Sequence, residues 1–241
     1  MDRPSISLAS LVERFAPHAK DGAFRDLRGA AEADVHAYQR AVGLRLPPLF
    51  LAFHRTQGDN SPLSLFRCAR QRLSWLLARH RAGKLVLRAG NRVRIARGAI
   101  EPDGWLVYGA GEPYVALGNG LDPETSLREV YAPTFGHLLF ASGWELAHWT
   151  YPNPQLTLRA PVFSVAETVG DWAHARGLAA TWFSGGGRWF FEPPGGAREA
   201  VRLRLAQFPG HTRIYVLAPD AERAERTARA LAEDLGAARV P

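Results

Sequence analysis

The sequence holds almost no sulfur: Cys68 is its one cysteine and Met1 its one methionine. A lone cysteine excludes an internal disulfide and any metal cage built from several thiolates. No apolar run approaches the length of a bilayer span, and Met1-Asp2-Arg3-Pro4-Ser5 leads into no apolar signal-peptide region. The expectation is a cytoplasmic protein with no membrane partner. The eight histidines are scattered, with no His-x-x-x-His pair and no acid at metal-motif spacing. Gly185-Gly-Gly187 lacks the Lys-Ser/Thr that follows a phosphate-cradling loop, so it reads as a turn between aromatic strands. Cys68 lies among arginines, which would favour a thiolate if it were exposed, but it also fits an apolar helical face beside Leu65. No catalysis, no metal and no cofactor are expected.

Acids are missing from one long stretch. Between Asn60 and Ile100 there are ten Arg or Lys and no Asp or Glu, whereas acids outnumber bases from Glu101 onwards. The formal net charge of +7 is therefore concentrated, and a block so one-sided favours an acidic partner. Within it Leu85, Leu87, Val93 and Ile95 alternate with Lys84, Arg88, Arg92, Arg94 and Arg97 around a turn at Ala89-Gly90-Asn91. Period-two alternation predicts a hairpin with an apolar inner face and a basic outer face.

With 241 residues, 46% of them apolar, the chain has material for one large domain or two ordinary ones. Ile6, Leu8, Leu11, Val12 and Phe15 predict a first helix, and Pro17 stops it. Val35, Tyr38 and Val42 give a second helix one buried face, Gly43 ends it, and Pro47-Pro48 starts a third helix carrying Phe50 and Phe53. A turn is expected at Gly58-Asp59-Asn60, and the residues from Asp21 to Arg28 read as a polar connector. A helix is expected from about 63 to 82, with a strand as the alternative at its start, then the basic hairpin, then strands at 105–108 and 114–117 and a Val130-Tyr131 step. Thr134 caps an apolar helix holding Phe135, Leu138, Leu139 and Phe140. Two prolines in Tyr151-Pro-Asn-Pro154 mark a boundary, giving domains at 1–150 and 155–241. The second is expected to be a small α+β unit of strands and hairpins, with helices near 165–176 and 221–235.

The run Leu27-Arg-Gly-Ala-Ala-Glu-Ala-Asp-Val35, the Gly43-Leu-Arg-Leu-Pro47 step, and then Phe50 and Phe53 resemble the opening motif of the SUKH superfamily, the Smi/Knr-type domain. The later order of aromatic strand, Gly-rich turn, second strand, Val130-Tyr131 and Thr134-Phe135-Gly-His-Leu138-Leu139 is similar to the second half of that domain. The likeness spans about residues 27–150. Ala30 and Ala31 stand where that family has a capping hydroxyl, Val42 replaces a Leu, and Gln57-Gly58-Asp59 stands in for Asn-Gly. The resemblance implies an α+β fold with an antiparallel sheet flanked by helices. It also implies a bacterial immunity protein that neutralises a cognate toxin by direct binding.

Joined to the charge pattern, that role predicts an acidic surface on the toxin. Arg88, Arg92, Arg94 and Arg97 are then the expected interface residues. Reversing all four should abolish partner binding and leave the fold intact. The rival expectation is nucleic-acid binding through the same basic segment, 67–97, with affinity falling steeply as salt rises.

Overall fold

The computed structural model describes residues 7–18, 24–63, 71–98, 103–118, 127–149, 155–160, 165–181, 184, 188–194, 201–208 and 211–240. These form an α+β fold with seven α-helices and two antiparallel sheets among the described residues. The chain divides into two compact units, Met1–Ala147 and His148–Pro241. The boundary expected at 151–154 lies outside the described residues.

The first unit opens with α1 (Leu8–Phe15), where Ser7 Oγ accepts from the Ser10 amide at 3.1 Å and caps the helix. Helix α2 (Glu32–Val42) begins without such a cap, because Ala31 offers no side-chain acceptor. Glu32 and Asp34 in its first turn answer the positive helix end instead. Gly43 closes the helix in the left-handed region, at φ 61°, with its amide on the Gln39 carbonyl. Pro48 then occupies the first turn of α3 (Pro48–Gln57), where its missing amide costs nothing. The corner predicted from Gly43 and Pro47-Pro48 is thus observed.

Val35, Tyr38, Val42, Phe50 and Phe53 are all fully buried at that corner. Tyr38 stacks on Phe50 at 6.0 Å between ring centroids, and Phe135 meets Phe50 edge-on at 5.1 Å. Truncating any one of these to Ala would cost about 2–5 kcal/mol in a close-packed core.

The segment read as a polar connector is tied down at its α2 end. The Ala30 amide donates to the His54 carbonyl at 2.7 Å and the Arg28 amide to Asn60 Oδ1 at 2.6 Å. Asn60 Nδ2 donates in turn to the Asp26 carbonyl at 2.9 Å. Gly58 is needed for space and not for a turn conformation: its φ is −63°, and a Cβ there would run into the His54 ring. His54 itself is fully buried between Phe50 and Phe53, with ring centroids 4.4 and 5.1 Å away. Neither of its ring nitrogens has a hydrogen-bond partner among the described residues. Desolvation drives its pKa down to about 3, so the core holds a neutral imidazole.

The helix expected from about 63 to 82 is shorter in the structure: α4 spans Leu73–Arg81, Leu63 lies in a bend and Arg72 is extended, and residues 64–70 lie outside the described residues. The first sheet follows as a five-stranded antiparallel meander. Its strands are β1 (Arg88–Ala89), β2 (Arg92–Ala96), β3 (Asp103–Val107), β4 (Tyr114–Gly118) and β5 (Leu127–Ala132), in that spatial order. Thr134 Oγ1 accepts from the His137 amide at 3.3 Å and opens α5 (Phe135–Trp149).

In the second unit the sheet order is β11-β6-β10-β9-β8-β7. These strands are β6 (Gln155–Ala160), β7 (Ala179–Ala180), β8 (Arg188–Glu192), β9 (Arg202–Phe208), β10 (His211–Leu217) and β11 (Ala238–Arg239). Helices α6 (Val165–His174) and α7 (Ala221–Leu235) place Val169, Trp172, Ala228 and Leu231 in one core with Leu158, Leu203, Leu205, Ile214 and Val216 of the strands. Asp234 joins the two helices, taking the Trp172 indole N–H at 2.8 Å and the Arg176 guanidinium at 2.8 Å. Both Phe190 and Phe191 are buried, so β8 is covered on both faces. Trp182, Phe183 and the Gly185–187 turn lie outside the described residues.

Candidate protein-binding surface

The four arginines expected at an interface meet four different fates, and the strand pairing explains why. In the antiparallel register Arg94 stands opposite Trp105, which stands opposite Ala116. Cross-strand partners share a face. That face carries its own apolar cluster of Trp105, Val107 and Ala116, with Ala89 and Tyr114 packed against it. The other face carries Val93, Leu106 and Val115, which are also buried. Strand β2 is therefore covered on both sides, and the basic outer face expected from alternation is not present there.

Arg94 is accordingly 2% exposed. Its Nη2 lies 3.1 Å from Asp103 Oδ2, and its guanidinium sits over the Trp105 ring, 4.4 Å from the centroid. Burial holds the Arg94 guanidinium below its ordinary pKa, and Asp103 opposes that shift. The Tyr38 hydroxyl donates to the Arg94 carbonyl and so ties β2 to α2. Burial keeps the Tyr38 hydroxyl protonated by raising its pKa. Arg94 cannot serve as an interface residue, and reversing its charge would set two carboxylates together in a dry site.

Arg97 is more open, yet its Nη1 binds the same Asp103 Oδ2 at 2.9 Å. The second carboxylate oxygen accepts the Gly98 amide at 3.1 Å. Asp103, three residues beyond the acid-free stretch, is thus the acid that this stretch lacks. Arg88 is exposed but occupied: Nε donates to the Gly90 carbonyl at 2.9 Å, and Nη1 donates to the Val42 carbonyl at 3.1 Å. It closes the hairpin turn onto the C-terminal end of α2, where carbonyls carry partial negative charge. Arg92 is half-buried opposite Val107. The structure brings Arg94 and Arg97 together on Asp103 and leaves Arg88 at the corner.

Within the same acid-free stretch, other exposed cations lie one element earlier. Arg72, Arg79 and Arg81 on and beside α4, with Lys84 in the loop after it, are exposed. No carboxylate among the described residues pairs with any of the four. Arg79 rests over the Trp75 ring, 5.4 Å from its centroid, one helical turn away. The helix ends in a Schellman arrangement: the Gly83 amide donates to the His80 carbonyl at 2.9 Å and the Lys84 amide to the Arg79 carbonyl at 2.9 Å. His80 Nδ1 then donates to the Leu85 carbonyl at 3.0 Å, which fixes the loop leading to Val86. Val86 is 54% exposed and is the one large apolar side chain so exposed among the described residues.

Among the described residues no group of three His, Cys, Asp or Glu side chains could hold a metal ion, and no helix is long and apolar enough to cross a membrane. No family model, curated protein or solved structure matches the chain.

Proposed function

We propose that the chain is a non-catalytic binding protein of the immunity type, one that neutralises a cognate toxin by direct contact between the two proteins. The observation that carries this reading is the set of exposed cations Arg72, Arg79, Arg81 and Lys84, with no carboxylate partner among the described residues, on α4 and the loop that closes its C-terminal end. Such a surface speeds encounter with an acidic partner and disfavours basic ones. The order of elements adds support. A helix corner with buried Tyr38, Phe50 and Phe53, an antiparallel meander and a helix opening at Thr134-Phe135 follow the order that the SUKH resemblance implies. Neutralisation by occlusion needs no nucleophile or general base, only an affine surface.

The test is affinity capture of the full chain from its native host, with the bound protein identified. The expected outcome is a toxin domain with an acidic surface, recovered in stoichiometric amount. If the chain instead shifts random-sequence DNA at moderate salt, with affinity falling steeply as salt rises, the nucleic-acid reading replaces this one.

A further inference from the structure

We infer that the docking surface is the outer side of α4 together with the loop that follows it, and that Val86 is its apolar anchor. The inference rests on the binding role proposed above and assigns that role to a surface other than the basic hairpin. Two observations converge on it. Interfaces that bind proteins combine an apolar centre with a polar rim, and Arg and Trp are enriched in them. Here Val86, exposed beside Lys84, is flanked in the chain by the end of α4, with Arg79 stacked on Trp75 and Arg81 on the final turn. The loop is also preorganised: the two Schellman bonds and the contact from His80 to Leu85 hold Lys84 and Val86 in place before any partner arrives. A fixed loop loses little conformational freedom on binding.

The charge specifies the occupant. Four cations with no ion-pair partner among the described residues call for a surface rich in Asp or Glu. Val86 calls for a shallow apolar recess within it. A nucleic-acid backbone would satisfy the charges but would leave the exposed valine facing phosphate and sugar. An acidic protein surface satisfies both, and it is the occupant proposed. By the same geometry Arg94 and Arg97 lie outside the contact, since Asp103 already holds them.

The experiment is photo-crosslinking in the native host, with p-benzoylphenylalanine in the full chain at position 86 or, as a control in the second unit, at the exposed position 226 of α7. The expected result is an adduct from position 86 with an acidic protein. That adduct should fall about tenfold or more when Arg79→Glu and Arg81→Glu are added, as befits a rim that governs encounter. It should be absent from position 226. An adduct from position 226 alone, or one from position 86 that survives the double reversal, overturns the surface while leaving the binding role standing. A nuclease-sensitive adduct from position 86 overturns the choice of occupant. Absence of any protein adduct from either position, together with an empty affinity capture, overturns the binding role itself.

Discussion

Strand β2 and helix α4 draw their cations from the same acid-free stretch of chain, and the fold uses the two sets in opposite ways. On β2 the guanidinium of Arg94 is buried, paired with Asp103 and laid over Trp105. On α4 the side chains of Arg79 and Arg81 remain in solvent, and one of them is merely steadied by Trp75. A buried ion pair contributes little net stability over a well-packed apolar pair, yet losing one partner strands a charge in a dry site. An exposed cation contributes almost nothing to stability and remains available to a partner. The number of arginines in a segment therefore does not give the charge of its surface; the covering of each sheet face does.

The comparison breaks most visibly at Arg94. Arg94→Ala removes one of the two guanidinium groups on buried Asp103 and should cost about 3–5 kcal/mol of unfolding free energy, measured by urea denaturation. A loss under about 1 kcal/mol would mean that the pair is not dry. Next in size is Tyr38→Phe, which leaves the buried Arg94 carbonyl without its hydroxyl donor. The cost of such an unpaired group is about 1–3 kcal/mol, read from the same denaturation curves.

The pH dependence of stability tests the core beneath the corner. His54 is neutral in the fold with a pKa lowered to about 3, against an ordinary value of 6.5. The unfolded chain therefore binds the extra proton. Stability is complete above about pH 6.5 and falls by about 1.4 kcal/mol per pH unit as pH drops towards about 3. His54→Leu should flatten that slope relative to the unsubstituted protein. Equal slopes in the two would show that the imidazole is hydrated.

Much of the helix corner was legible in the residues. Gly43 and Pro47-Pro48 have narrow backbone requirements, and Val35, Tyr38, Phe50 and Phe53 repeat with a helical period, so few alternatives existed. The hairpin misled because period two says only that successive side chains point to opposite faces. It does not say that one face meets water. The signal that both faces are covered lay on the neighbouring strand, where Trp105, Leu106 and Val107 are apolar in succession. Asp103 was invisible for a related reason: although close to Arg94 in sequence, it is brought onto that guanidinium only by the register of β2 with β3. Gly58 illustrates the same limit, since its role depends on where the His54 ring lies. The cations of α4 sat in the segment singled out by charge, but only their burial and pairing distinguish them from those of β2.

The smallest effect expected on stability goes with the largest expected on partner binding. Arg79→Glu, Arg81→Glu and Lys84→Glu combined should change unfolding free energy by no more than about 0.5 kcal/mol for each site, as exposed substitutions do. The decisive measurement is the amount of partner that this triple variant recovers from the native host, compared with an equal amount of folded, unsubstituted protein. Recovery reduced about tenfold or more, with the denaturation midpoint essentially unmoved, is the result expected of an α4 docking surface. Undiminished recovery of the same partner would contradict it.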